Sequence, residues 1–177
     1  MLGICLVGGL CLCALANGVL AIEAEVVPSV VEDYMEMAGT TGFGKSPFAI
    51  FAAVCLAPIG EEFLCRGICM NFGKKAFGKF WYANILQALL FGVLHMNWVQ
   101  GVYAFIIGLV LGYLVERYNS LLPGMIVHFI VNFSSSTWFP KVLSGIEEVS
   151  LVTGILMVAI PGAIVVAVLY CSRLKNA

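Results

Sequence analysis

The chain has 177 residues, of which 62% are hydrophobic and 11% are charged, and its formal net charge is -1. Water-soluble domains usually contain about 45–50% apolar and about 25% charged residues. The composition therefore excludes an ordinary soluble domain and a disordered chain. It shows no basic stripe and no nucleic-acid motif, which argues against nucleic acid as a partner. The prediction is an all-α polytopic transmembrane helical bundle that forms a single integral membrane domain over residues 1–177.

Six apolar runs are long enough to be membrane spans, because about 20 helical residues cross the hydrocarbon core. In chain order these runs are Leu2–Ile22, Pro47–Met70, Phe80–Met96, Val99–Val115, Leu121–Phe139 and Leu151–Tyr170. The first run lacks the positively charged region that opens a signal peptide. We expect it to be a retained helix, and cleavage near Ala16 is the alternative.

The segment from Glu23 to Lys45, between the first two runs, is acidic and amphipathic. Its apolar face is formed by Val30, Val31, Tyr34 and Met35, and three acidic residues occupy another face. This pattern favours a short helix that lies in the membrane interface.

Basic residues fall unevenly on the two sides of the predicted spans. One side receives six of them and the other two: Lys74, Lys75, Lys79, Arg117, Arg173 and Lys175 against Lys45 and Lys141. The positive-inside rule then places both termini in the cytoplasm.

Gly108 and Gly112 form a G-x-x-x-G pair within the fourth run. Such pairs let two helices approach closely. We interpret this one as internal packing rather than dimerisation, and the oligomeric state stays open.

Six ionisable or strongly polar residues remain inside the predicted spans, where each costs a few kcal/mol and marks a function by default. They are Glu61, Glu62 and Arg66 in the second run, His95 in the third, and His128 and Asn132 in the fifth. At about 1.5 Å per helical residue, their distances from the cytoplasmic ends of the spans are similar, roughly 17–24 Å. The sequence predicts that three helices bring these groups to one level near the membrane centre.

Local spacing adds detail within the second run. Glu62 and Arg66 are an i,i+4 pair in the favourable acid-first order, and a purely structural ion pair is one interpretation of them. Glu61 is turned about 100° away and is free to face a cavity. Pro58 and Gly60 weaken the helix just before the glutamates, which predicts a kink or a water-lined opening.

Three motifs follow one another in successive hydrophobic helices. Glu61 to Arg66 has the form E-E-x-x-x-R, Phe91 to His95 is F-x-x-x-H, and His128 to Asn132 is H-x-x-x-N. In this order they resemble the CPBP family of intramembrane proteases, also called the Abi or CAAX-protease family. The resemblance covers about Pro58 to Phe133, inside a motif-bearing core of about residues 47–139.

The resemblance implies an all-helical membrane protein that cuts peptide bonds in or near the bilayer. Glu61 and His95 would activate water, and His128 and Asn132 would stabilise the oxyanion, beside Glu62 and Arg66. Hydrolysis of an amide needs such a base and such donors. No Ser or Cys is paired with either histidine by a local motif, which disfavours a covalent route. The expected partners are membrane lipid and a peptide or membrane-protein substrate, with a lipidated substrate as one possibility.

Metal dependence is left open by the sequence. Glu61, His95 and His128 would be a legitimate zinc set with a fourth position for water. The chain lacks H-E-x-x-H, and we favour a site that needs no cofactor, with zinc as the alternative.

Two other classes of membrane protein fit the same polar residues. A transporter could use the carboxylates and imidazoles to relay protons or bind cations at mid-depth, and a bacteriocin-immunity-type protein would keep the helices without catalysis. Arg66 beside the paired glutamates, and Asn132 one turn beyond His128, favour hydrolysis over transport.

Overall fold

The computed structural model describes residues 2–40, 46–137 and 150–174, and every regular element in these ranges is helical. The helices are α1 Leu2–Val26, α2 Pro28–Thr40, α3 Pro47–Phe77, α4 Phe80–Leu94, α5 Trp98–Tyr118, α6 Leu122–Thr137 and α7 Leu151–Leu174. The all-α prediction is confirmed.

Four of these helices, α1, α3, α5 and α7, are long and apolar enough to cross a membrane. Helices α4 and α6 have 15 and 16 residues. At about 1.5 Å per residue they are shorter than a hydrocarbon core of about 30 Å. The integral membrane prediction is supported, but the count of six spans is not confirmed.

The predicted fifth run ended at Phe139, beyond the last described residue of α6, Thr137. Three residues of the charge comparison, Lys45, Lys141 and Lys175, also lie outside the described residues. The cytoplasmic placement of both termini therefore stays a prediction.

Helix α1 lies in the middle of the bundle and packs against α5, α6 and α7. The main core contains buried side chains from all four helices: Cys5, Leu12, Ala16, Ile107, Leu111, Leu114, Val127, Val131 and Val165. Large apolar side chains also cover the outer surface, such as Phe48 and Val166, which are 75% and 67% exposed. An outer surface of this kind suits contact with lipid rather than water.

The predicted interfacial segment forms helix α2, but its inward face is narrower than expected. Val31 is buried, and the Tyr34 hydroxyl lies 3.3 Å from the Tyr103 hydroxyl of α5. Val30 and Met35 were predicted to share this face and are exposed instead. Val31 and Tyr34, three residues apart, face the neighbouring helices. The position of α2 in the membrane interface stays a prediction.

The G-x-x-x-G pair lies in an intramolecular contact between α4 and α5. A Cβ atom added at Gly108 would lie 3.1 Å from the Ala88 Cα atom. A Cβ atom at Gly112 would overlap the Asn84 amide oxygen and lie 2.6 Å from Gln87 Nε2. The two glycines therefore let α4 approach α5 and leave room for two polar side chains.

We expect Gly112→Ala to lower the free energy of unfolding by about 1–3 kcal/mol, because overpacking forces neighbours to move. Gly8→Ala is the matched control, since nothing lies within 4 Å of a Cβ atom there. It should be neutral or add up to about 1 kcal/mol through helix propensity. Denaturant titration in detergent measures both, and equal unfolding curves would contradict the close packing at Gly112.

Candidate active site

Helix α3 carries the first motif and is irregular around it. The regular turn Ala57–Glu62 lies between two π-helical stretches, Ala52–Leu56 and Phe63–Cys69. Pro58 has no N–H group and cannot continue the α-helical bond pattern. The weakening predicted at Pro58 and Gly60 thus takes the form of π turns on both sides of the glutamates. Such turns frequently occur at functional sites.

Glu62 and Arg66 form a completely buried ion pair. The Arg66 Nη1 atom donates to Glu62 Oε1 over 2.9 Å, and both side chains are 0% exposed. Arg66 Nη2 donates to the backbone oxygen of Gly108 over 3.2 Å, and the guanidinium lies 4.5 Å from the centre of the Phe91 ring. The arginine is therefore held by a carboxylate, a carbonyl and an aromatic face on three helices.

His128 of α6 lies between the two glutamates. Its Nδ1 atom is 3.0 Å from Glu62 Oε1, and its Nε2 atom is 3.5 Å from Glu61 Oε2. An ion-paired carboxylate only accepts hydrogen bonds, so we assign a proton to Nδ1. Glu62 then orients the ring, and Nε2 is the nitrogen that faces Glu61.

The two glutamates occupy different environments. The Glu61 side chain is 32% exposed, whereas Glu62 is closed in by Arg66, His128 and the first turn of α6. A Cβ atom added at Gly124 would lie 2.6 Å from Glu62 Oε2, so only glycine leaves room for the carboxylate there. Glu61 is the carboxylate that can meet water or a substrate.

The Phe91 ring joins the second motif to the other two. It is 2% exposed and meets the His95 and His128 rings edge-on, with centroids 4.9 and 5.5 Å apart. His95 Nδ1 lies 2.8 Å from the Phe91 backbone oxygen. Because a carbonyl only accepts, Nδ1 carries the proton, and His95 Nε2 in the neutral ring is free to accept one.

The Asn132 side chain is held by a different part of α3. Its Nδ2 atom donates to the backbone oxygen of Ala53, 3.0 Å away in the first π turn of α3. Asn132 and His128 lie on the same side of α6 but bond to different parts of α3. The structure thus brings Glu61, Glu62, Arg66 and His128 into direct contact, joins His95 to them through Phe91, and fixes Asn132 one helical turn away.

These residues fall within the one family match found for the chain. The profile of the Rce1-like family, described as type II CAAX prenyl endopeptidase, matches residues 43–134. This match covers just over half of the chain and all three motifs. The chain belongs to the Rce1-like family.

The other two comparisons gave nothing further, since no curated protein and no solved structure matches the chain. Membership of the Rce1-like family supports a membrane peptidase of the CAAX type in general. It does not assign a role to any single residue of the site.

The structure leaves the metal dependence of the Rce1-like site as a prediction. Among residues 2–40, 46–137 and 150–174, no group of three His, Cys, Asp or Glu side chains is close enough together to hold an ion. His128 Nε2 and Glu61 Oε2, two members of the predicted zinc set, lie 3.5 Å apart, and His128 Nδ1 lies 3.0 Å from Glu62. Zinc held by Glu61, His95 and His128 stays the alternative to a site that needs no cofactor.

Sequence reasoning missed two polar residues of this Rce1-like protein. Asn84 and Gln87 of α4 are both 0% exposed and bond to the backbone of α5. They are amides three residues apart inside an apolar run, and that spacing was the available signal. Neither amide is ionisable, and the search for ionisable groups in the spans did not select them.

Proposed function

We propose that this Rce1-like protein is an intramembrane endopeptidase that hydrolyses a peptide bond with water activated by Glu61 and His95. The observation that carries the proposal is the contrast between the two glutamates. Glu62 is buried and paired with Arg66, whereas Glu61 is one-third exposed and lies beside His128. Two carboxylates in unlike environments are a common basis for separate acid–base and structural roles.

In the proposed reaction, the Glu61 carboxylate takes a proton from a water molecule that His95 Nε2 orients. The hydroxide attacks the carbonyl carbon of the scissile bond, and the carbonyl oxygen becomes an oxyanion. The C–N bond then breaks, and the proton held by Glu61 passes to the leaving amine. No covalent bond to the protein forms, and water supplies the oxygen of the new carboxylate.

Two donors are available for the oxyanion, the Asn132 amide and His128 Nε2–H. The Asn132 Nδ2 atom has two protons and uses one on Ala53, so one remains. His128 donates from Nε2 only when its ring is protonated.

The proposed substrate is a peptide that carries a lipid group. An apolar groove of about 610 Å³ lies along the C-terminal half of α4 and the N-terminal half of α5, from Leu89 to Ile106. It is lined largely by apolar side chains, among them Leu89, Val93, Trp98, Val102 and Phe105. A groove of this volume and chemistry suits a hydrocarbon chain.

The proposed function is tested with the purified protein in liposomes and a peptide that carries a farnesylated cysteine near its C-terminus. We expect two peptide products by mass spectrometry, and slower cleavage of the same peptide without the farnesyl group. Absence of both products from both peptides would refute the peptidase assignment. Equal rates would refute the lipidated substrate alone.

We further propose that cleavage needs no metal. Active protein should contain less than one zinc per chain and should survive prolonged chelation, since no ligand set would depend on an ion. Elemental analysis and the cleavage assay are run on the same sample. One zinc per chain, lost together with activity in His95→Ala or His128→Ala, would reverse this proposal in favour of a zinc peptidase.

A further inference from the structure

A second polar cluster lies beside the site, at the contact between α4 and α5. Gln87 Nε2 donates to Asn84 Oδ1 over 2.7 Å and to the backbone oxygen of Gly108 over 2.9 Å. Asn84 Nδ2 donates in turn to the backbone oxygen of Leu109 over 3.0 Å. Gly112 makes space for both amides, because any side chain there would collide with them.

The Gly108 carbonyl connects this cluster to the first motif. It accepts from Gln87 Nε2 over 2.9 Å and from Arg66 Nη2 over 3.2 Å. Arg66 reaches Glu62, and Glu62 reaches His128. A continuous chain of hydrogen bonds therefore runs from α4, across α5 and α3, to α6.

We propose that Gln87 is a positioning residue, which fixes Arg66 through the Gly108 carbonyl and so sets the Glu62–His128 contact. Its effect on cleavage rests on the proposed function, whereas its effect on His128 does not. Asn84 assists by holding the Gln87 amide from the other side. Gln87 itself touches no reacting atom.

The two polar atoms of the Gln87 side chain differ in their contacts. The side chain is fully buried, and its Oε1 atom has no hydrogen-bond partner in the part of the chain that the structure describes. Its Nε2 atom donates both to Asn84 and to the Gly108 carbonyl. The Nε2 bonds are therefore the part of Gln87 that connects α4 to the first motif.

The expected consequence appears at His128. If Gln87 no longer holds the Gly108 carbonyl, Arg66 sits less firmly on Glu62. The Glu62 carboxylate, which meets both Arg66 and His128 Nδ1, is then held less firmly, and its hydrogen bond with His128 changes. Glu61 from α3 also faces this ring, and from α4 the Phe91 ring lies between His128 and His95. None of these groups changes in a Gln87 variant.

Nitrogen-15 NMR can observe His128 directly, because the chain has only two histidines. Protein labelled at histidine is measured in detergent at one fixed pH, and His95→Gln assigns the two sets of signals. In Gln87→Met we expect the ring nitrogen signals of His128 to move, because its Nδ1 bond to Glu62 is altered, and those of His95 to move less. Gln100→Met is the matched control, since Gln100 is the only other glutamine and lies outside the chain of bonds.

The cleavage assay adds a second readout. Gln87→Met should lower kcat by about 10-fold to 100-fold, as expected for misplaced catalytic groups, while KM changes little. If Gln87→Met does not fold, Asn84→Ala tests the same bonds and should move His128 in the same direction by less. Unchanged His128 ring nitrogen signals in the folded variant, or equal movements of the signals of both histidines, would overturn the inference. A shift of His128 in a protein that cleaves no peptide would refute the proposed function and support the positioning role.

Discussion

Arg66→Ala is expected to lower the free energy of unfolding by about 3–5 kcal/mol, because it leaves Glu62 as a buried charge without its partner. It also removes the cation packed on the Phe91 ring and the donor to the Gly108 carbonyl. We expect no measurable cleavage by this variant. Denaturant titration and the peptide assay, both in the same detergent, measure the two effects.

The exposed ion pair between Lys74 and Glu116 offers a matched control. Lys74 and Glu116 approach to 2.7 Å, closer than Arg66 and Glu62, but their side chains are 34% and 37% exposed. Pairs in contact with water contribute about 0–1 kcal/mol. Lys74→Ala should therefore unfold almost as the wild type does. Equal losses of unfolding free energy in the two variants would contradict the buried environment of the Arg66–Glu62 pair.

A double variant separates stability from catalysis. Arg66→Met with Glu62→Gln removes both charges, and neutral replacement of a buried pair is often harmless or stabilising. We expect most of the lost stability to return while activity stays absent, because no Glu62 carboxylate remains to orient the His128 ring. Recovery of activity together with stability would show that the pair is only structural.

The second large effect is expected at Glu61. Glu61→Gln keeps the size of the side chain but cannot take a proton, so turnover should fall by at least about 100-fold, the lower range for loss of general base catalysis. The residue is one-third exposed and has no contact with Arg66 of the kind that Glu62 has. The unfolding free energy should therefore change by less than about 1 kcal/mol, as is usual for partly exposed sites. Glu25→Gln at the exposed end of α1 is the control.

Part of the site could be predicted because it depends on local geometry. The Glu62–Arg66 contact follows from an i,i+4 spacing, and the meeting of three helices follows from equal depth in the membrane. Each of these inferences uses only the helical repeat and the cost of polar groups in hydrocarbon.

The remaining features depend on residues far apart in the chain. The Asn132 amide bonds to Ala53, 79 positions earlier, at a π turn that has no clear sequence signature. The assignment of His128 Nδ1 to Glu62 requires the relative rotation of α3 and α6, which the sequence does not specify. Gln87 becomes significant only when the Gly108 carbonyl is seen to accept from Arg66 as well.

The fold shows the same division between local and distant information. Hydropathy located the helices, since each predicted apolar run overlaps a helix in the described residues. The prediction of six spans is not confirmed, since four helices of the described residues are long and apolar enough to cross a membrane and α4 has 15 residues. The ends are set locally at α4, where His95 closes the helix and Asn97 accepts from the Gln100 N–H to begin α5. A hydropathy average over a whole apolar run does not detect such capping residues.

The most direct test of the central claim compares wild type and Glu61→Gln under single-turnover conditions. Equal amounts of each protein, in excess over the farnesylated peptide, are reconstituted in the same liposomes, and products are followed by mass spectrometry. We predict that the wild type releases both fragments and that Glu61→Gln, with an unchanged unfolding curve, releases neither within the time of the assay. Cleavage by Glu61→Gln at the wild-type rate would contradict the assignment of Glu61 as the base.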